Sequence, residues 1–311
     1  MTTTLTTTTV PRRSPQGAGP RVAARTPVGW IDEPYTRFTL TPSSPTIGAE
    51  VHGLTLAEPL DDATFAELHR ALLEWKVLFV RDAGLTTEAH HALGQRWGQL
   101  ETHPFMRYVY DTQSEDLPAV VRFEKGADTT GFENTWHSDV SWREEPSLGS
   151  LLHAIEVPAV GGDTLWADMA AAYDCLDDDL KARISGMTAV HDWWTSFGRG
   201  MEQEQRDALR EHFPPVEHPV VRTHPETGRK TLYVNAIFTQ HIVGLDAEES
   251  DALLEVLYRQ ATYPEYQCRF HWTAGALAIW DNRATQHYAA SDYFPQRRIM
   301  ERITVVGDRP Y

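Results

Sequence analysis

Cysteine is scarce. The 311 residues contain two, Cys175 and Cys268, too few for a disulfide framework and at no metal-binding spacing. Free thiols in a reducing compartment follow, and with them a cytoplasmic location. Long apolar runs are missing as well. No stretch approaches the roughly 20 residues that span a bilayer, so no membrane-spanning helix is expected. Basic residues are outnumbered, 28 Lys and Arg against 44 Asp and Glu, for a net charge of −16. That balance disfavours nucleic acid and anionic membrane surfaces as partners. It also repels small anions at long range, so an anionic substrate would require a locally positive pocket. Acids are absent before Asp32. The leader is rich in Thr, Pro, Ala and Arg, and reads as a disordered tail over residues 1–28, ahead of one domain over 29–311. A transit peptide shares that composition, but the tail is the preferred reading. Arg12-Arg13 lacks the apolar region a twin-arginine signal needs.

What is present is a run of Trp136-His137-Ser138-Asp139-Val140-Ser141-Trp142. In an extended segment residues i and i+2 share a face, so His137 and Asp139 can reach one ion. His287, within Trp280-Asp281-Asn282-Arg283-Ala284-Thr285-Gln286-His287, supplies a second imidazole from far along the chain. Two His and one carboxylate are the facial triad of non-heme Fe(II) oxygenases, which leaves positions open for chemistry. An H-x-D pattern alone is weak among 14 histidines, although it occurs once. Taken alone, a hydrogen-bonded core histidine is the better reading of His137. The nearest competitor, His224-Pro225-Glu226, reads as a solvent-exposed hairpin turn.

The C-terminal segment shifts the balance. Residues 298–306 alternate as a strand does, so Arg298 and Arg302 share one face, roughly 13 Å apart at ~3.3 Å per residue. Two inward guanidiniums are costly without anionic partners. Two bound anions, a co-substrate and a substrate, would satisfy them. Two surface arginines paired with acids would be the plainer reading of this segment by itself.

Elsewhere the patterning gives a strand and turn over 47–53 and a helix capped by Asp61 or Asp62 running to about residue 75. A buried strand follows over 77–80, and Thr86 or Thr87 opens a second helix. Strands are expected at 119–122, 150–155, 164–166 and 276–280. A helix from Asp168 should end near Gly186, and another run from Asp246 to about residue 260. Residues 191–219 show no sustained strand pattern and are a candidate lid. Early helices and a strand-rich second half indicate a double-sheet α+β protein.

Together these motifs resemble the taurine dioxygenase (TauD/TfdA) family of Fe(II)- and 2-oxoglutarate-dependent oxygenases, over about residues 38–310. The resemblance rests on the two runs above, on Gly161-Gly162-Asp163-Thr164, on Tyr233-Val234-Asn235-Ala236-Ile237-Phe238 and on Pro295-Gln296-Arg297-Arg298 with Arg302. It implies a double-stranded β-helix (jelly roll) with flanking helices. It implies iron ligation by His137, Asp139 and His287, and 2-oxoglutarate held by Thr164 and Arg298. O2 is then the oxidant, and succinate and CO2 are co-products. Related halogenases lack the ligand carboxylate, so Asp139 favours oxygenation. His103 and Arg302 match the positions that hold the family's substrate anion. Val140, Phe197 and Phe238 match apolar pocket positions, with plain core as the alternative.

Two departures make taurine an unsafe assignment. Met106 stands where the family's taurine-binding Tyr is found, and Glu133 where an Asn precedes the first ligand His. The implied substrate is a small organic anion, a sulfonate or sulfate ester ahead of a carboxylate, oxidised at a C–H bond. The runner-up is a tailoring oxygenase of an amino-acid-like or carboxylate metabolite, by hydroxylation, desaturation or cyclisation. A zinc hydrolase with the same ligands and a non-catalytic binding protein stand further back. A homo-oligomer is compatible with all of these.

Overall fold

The computed structural model describes residues 21–30, 32–102, 117–127, 134–198 and 201–311. Its main sheet is assembled from β1 (Thr39–Pro42), β2 (Ala49–His52), β3 (Val77–Val80), β4 (Val121–Lys125) and β5 (Ser147–Glu156), closed by two late strands. The remaining strands are β6 (Thr164–Asp168), β7 (Thr188–His191), β8 (Val216–Pro219), β9 (Val221–Thr223), β10 (Lys230–Leu232), β11 (Thr239–Ile242), β12 (Gln267–Phe270), β13 (Leu277–Asp281), β14 (Thr285–Ala289) and β15 (Arg298–Val306). The main sheet runs β1-β2-β3-β13-β5-β15-β4, and a smaller sheet runs β12-β6-β14. The last four strands alternate between the two sheets, β12 and β14 in the smaller and β13 and β15 in the main one, as in a jelly roll.

Alternation along the strands decides what fills the space between the sheets. Val77, Phe79, Leu152, Ala154, Trp280 and Met300 point inward from the main sheet and pack with Trp166, Cys268 and Phe270 from the smaller one. Phe79 and Phe270 stack with centroids 4.2 Å apart. The residues between them face the other way. Leu78, Val80, Leu151, Ile279 and Ile303 pack outward against Leu68, Leu72 and Leu93. Those belong to α1 (Asp62–Trp75) and α2 (Thr87–Gln95), capped by Asp61 and Thr86, in each case the first of the two residues the sequence left open.

Lys76 ends α1 in a left-handed conformation, φ 63°. It is buried, and its ammonium lies 3.1 Å from the equally buried Asp168. Burial lowers the Lys76 pKa, against the attraction of Asp168. This pair joins the end of α1 to the start of the helix Met169–Asp174, which Asp168 also caps.

Several expectations are corrected. The helix from Asp168 is two short helices, Met169–Asp174 and Asp178–Ile184, broken where Asp177 caps the second. Residues 191–219 hold more regular structure than expected. They begin and end in strands β7 and β8, paired with each other, and β7 also pairs with β11. The strand expected from residue 119 starts at Val121. His224 does sit beside the β9–β10 turn, but it is buried rather than exposed, with Nε2 2.9 Å from Asp281 Oδ2. The expected tail boundary at residue 28 falls in a segment lying on the domain: Arg25 pairs with Glu74 at 2.8 Å. Among the described residues no helix is long and apolar enough to cross a membrane.

Candidate active site

His137 and His287 are brought together by the backbone. Each donates its N–H to the other's carbonyl, at 3.1 and 2.8 Å, in an isolated antiparallel bridge. The loop bearing His137 is thereby laid along β14, and the two rings come within 4.1 Å, centroid to centroid. Asp139 then reaches the same point, its Oδ1 3.9 Å from Nε2 of each histidine. All three side chains are buried, and their ligand atoms lie within 4.8 Å of one another.

The surroundings fix each donor. His137 Nδ1 lies 2.7 Å from the Thr135 carbonyl. A carbonyl only accepts, so Nδ1 carries the proton and Nε2 is left with a lone pair. This is the arrangement in which a metal-binding histidine is oriented from behind. Asp139 Oδ2 accepts from Ser150 Oγ at 2.9 Å. Asn282 holds that serine and Ser147 through its amide, at 3.1 and 2.9 Å. Val140, next in line, is forced to φ 47°, a conformation rare for a β-branched residue and a local strain at the site.

Arg302 Nη1 stands 3.1 Å from Asp139 Oδ1. Burial by itself would raise the Asp139 pKa, but Arg302, then His287 and His137, outweigh it and hold the carboxyl well below its usual range. Burial pushes His287 down to about 3, with His137 adding to the fall and Asp139 opposing it. The donors are therefore one anion and neutral imidazole, as a divalent ion requires. Two nitrogens and one oxygen on one side of a point, open on the other, fit Fe(II).

The open side is a cavity partly continuous with solvent. Arg298, Met300 and Arg302 enter it from alternate positions of β15, Thr164 from β6, and Phe123 and Lys125 from β4. Thr164 Oγ1 accepts from Trp272 Nε1 at 3.0 Å, which leaves its proton for a ligand in the cavity. Gly162 makes the approach feasible. It sits at φ +72°, and a Cβ there would lie 3.2 Å from Tyr293 and 3.3 Å from Arg298.

Of the residues singled out from the sequence, His137, Asp139, His287, Thr164, Arg298 and Arg302 meet at this site. Val140 and Phe238 are buried beside it in a separate cluster with Trp142 and Trp193. The Phe238 ring is 6.4 Å from that of His137, and Phe197 stacks on Phe238 at 6.1 Å. His103, Met106 and Glu133 lie outside the described residues. Sequence reasoning missed Lys125. It is 4% exposed and pairs in register with Arg298, and that cross-strand alignment was the signal, visible only once β4 was known to neighbour β15.

The family described as "Taurine catabolism dioxygenase TauD, TfdA family" matches residues 39–304. The chain belongs to the TauD/TfdA family. An alkylsulfatase of Acinetobacter baylyi is 35% identical over 287 residues, 90% of this chain and 88% of that protein. An alpha-ketoglutarate-dependent sulfate ester dioxygenase of Pseudomonas putida is 35% identical, over 85% of this chain and 88% of its own. The crystal structure of a taurine dioxygenase from Burkholderia xenovorans superposes with a TM-score of 0.76 at 37% identity, covering 88% of this chain and 91% of that one. As a TauD/TfdA protein the chain is an enzyme, a dioxygenase that uses Fe(II), 2-oxoglutarate and O2, and its jelly roll is the family's.

Proposed function

We propose that this enzyme oxidises a C–H bond of a small organic anion, a sulfate ester or sulfonate ahead of a carboxylate. In this reading His137, Asp139 and His287 hold the iron. Arg298 and Thr164 hold the distal carboxylate of 2-oxoglutarate. Arg302 holds the substrate's anionic group, with His103 as its partner, and Val140, Phe197 and Phe238 surround the carbon portion. The bound iron and 2-oxoglutarate supply the oxidising power, and the protein aims one C–H bond and keeps water out.

The observation that carries this reading is that Arg298 and Arg302 open from one strand face into the cavity that the two histidines also line. One guanidinium is taken by the co-substrate. The other is available to a second anion once the charge of Asp139 is committed to the metal. Its planar fork matches two oxygens of a sulfate or sulfonate, a geometry Lys does not reproduce. The names of the two relatives above agree with such a substrate. Oxidation at the carbon bearing a sulfate ester gives a carbon with both hydroxyl and sulfate, which collapses to an aldehyde and hydrogen sulfate. We take the chain from about residue 21 onward as one oxygenase domain acting in the cytoplasm on a free small molecule, without nucleic acid.

The test is anaerobic titration of the Fe(II)/2-oxoglutarate enzyme with short alkyl sulfates, alkyl sulfonates, taurine, carboxylates and neutral alcohols. The metal-to-ligand absorption band should shift with sulfates and sulfonates, weakly with taurine because of Met106 and Glu133, and not with alcohols. Arg302→Ala should weaken the anion response at least tenfold and leave 2-oxoglutarate binding nearly intact. Equal responses to neutral and anionic compounds, unchanged in Arg302→Ala, would refute the anion pocket.

A further inference from the structure

On the outer face of the main sheet, behind the strand that carries Arg298 and Arg302, a second group of donors meets. His90 comes from α2, His153 from β5 and Glu301 from β15, where His153 and Glu301 are partners in register. One donor atom from each lies within 4.8 Å of the others. Their exposures are 0%, 4% and 3%. Strand alternation explains the placement: Met300 and Arg302 point into the cavity, so Glu301 between them must point out, under α2.

The hydrogen bonding of this group is incomplete in a particular way. Among the other buried histidines, His137, His191, His218 and His224 each have an anchor, the Thr135 carbonyl, Ser141, the Arg143 carbonyl and Asp281, while His287, in the first ligand set, also has an unpaired Nδ1. Neither ring nitrogen of His90 has a side-chain partner, the nearby Leu151 carbonyl falling short of hydrogen-bond geometry, and His153 has no partner at Nδ1. Buried polar nitrogens of this kind normally have partners. Glu301, by contrast, is oriented from outside, by Thr87 Oγ1 at 3.0 Å and Arg122 Nη1 at 3.3 Å. Outer contacts that aim a carboxylate while imidazole nitrogens wait beside it are what surround a metal-binding site.

We propose that His90, His153 and Glu301 form a second, structural metal site, selective for Zn²⁺, that fastens α2 to the back of β5 and β15. Two imidazoles and a carboxylate suit Zn²⁺, whose fourth position is filled by the second carboxylate oxygen or an enclosed water. None of the three lines the active-site cavity, so this ion meets no substrate. The imidazoles are in the form a ligand must take. Burial pushes His90 down to about 3, helped by His153 and opposed by the Leu151 carbonyl, and burial also lowers His153. Both are neutral at pH 7. Enclosure under α2 means that the ion enters as the chain folds.

The experiment uses the full chain with the first centre removed, as His137→Ala/Asp139→Ala/His287→Ala, folded in the presence of Zn²⁺ and then dialysed. Elemental analysis should find one Zn²⁺ per chain, and thermal unfolding should occur several degrees higher than for the same chain folded with chelator. Adding His90→Gln and Glu301→Gln should remove both the zinc and the shift. Folding the triple variant with Co²⁺ gives a check that needs no further substitution: visible bands of four-coordinate Co²⁺ should appear. A triple variant that retains no Zn²⁺, unfolds at the same temperature either way and gives a colourless Co²⁺ sample would overturn the proposal.

Discussion

At the scale of single residues, Asp139 carries two duties. It is the one anion among the three proposed iron ligands, and it is the partner of Arg302 at 3.1 Å. Asp139→Ala removes the ligand and leaves a half-buried guanidinium without its carboxylate, so loss of succinate formation should be complete. His137→Ala should behave alike, and turnover that survived either change would remove the iron assignment. Arg298→Ala is expected to spare the metal. It removes a charge-assisted contact worth about 2–3 kcal/mol, hence a rise of roughly 30- to 150-fold in the KM for 2-oxoglutarate. Steady-state kinetics with 2-oxoglutarate varied gives the answer, and an unaltered KM would mean the co-substrate sits elsewhere. These residues were legible in the sequence because H-x-D on an extended segment and two Arg four apart on a strand each have a physical meaning at short range. Lys125 was not legible, since its place beside Arg298 depends on a register between β4 and β15 that no local pattern encodes.

At the scale of elements, β15 shows how one strand serves two faces. Its inward residues line the active-site cavity while Glu301 and Ile303 face the helices. The period-2 pattern announced this strand, and capping residues announced α1 and α2. β14 was missed although it bears His287, because Thr285-Gln286-His287 gives no alternation of apolar and polar side chains. The helix from Asp168 was overextended because Asp177, a cap for the second helix, was read as interior. The Gly161-Gly162 turn allows a sharper forecast. Gly162→Ala must hold an L-residue at φ +72° and place its Cβ 3.2 to 3.3 Å from Tyr293 and Arg298. Strain of about 1–3 kcal/mol should lower the melting temperature, and displacement of Arg298 should raise the KM for 2-oxoglutarate. Gly186→Ala has a similar φ of +77° with nothing within 4 Å. It should cost stability alone. A Gly162→Ala enzyme with unchanged KM would show that this turn does not position Arg298.

At the scale of the whole molecule, a chain of net charge −16 concentrates Lys125, Arg298 and Arg302 around one cavity. That is the local positive pocket the composition required of an anion-binding enzyme. The interior also holds neutral histidines away from that cavity. Burial pushes His218 down to about 4 and lowers His191 well below its ordinary value, each helped by a neighbouring cation or imidazole. Their pKa values in the folded state lie below the unfolded value near 6.5. The unfolded chain therefore binds more protons as pH falls, and stability present above about pH 6.5 is lost progressively down to about pH 4. For His218 the loss is on the order of 3 kcal/mol. Chemical denaturation at a series of pH values should show it, and a midpoint constant between pH 7 and 5 would be the contrary result.

The central claim, that a sulfate ester is cleaved by oxidation driven by 2-oxoglutarate, comes down to a stoichiometry. Purified enzyme is supplied with Fe(II), 2-oxoglutarate and a short alkyl sulfate in air, and succinate, consumed O2 and released sulfate are quantified together. Equal amounts of all three are expected, and no sulfate when either O2 or 2-oxoglutarate is withheld. Sulfate released without O2 and without succinate would contradict it, and would mean that the same three ligands support hydrolysis.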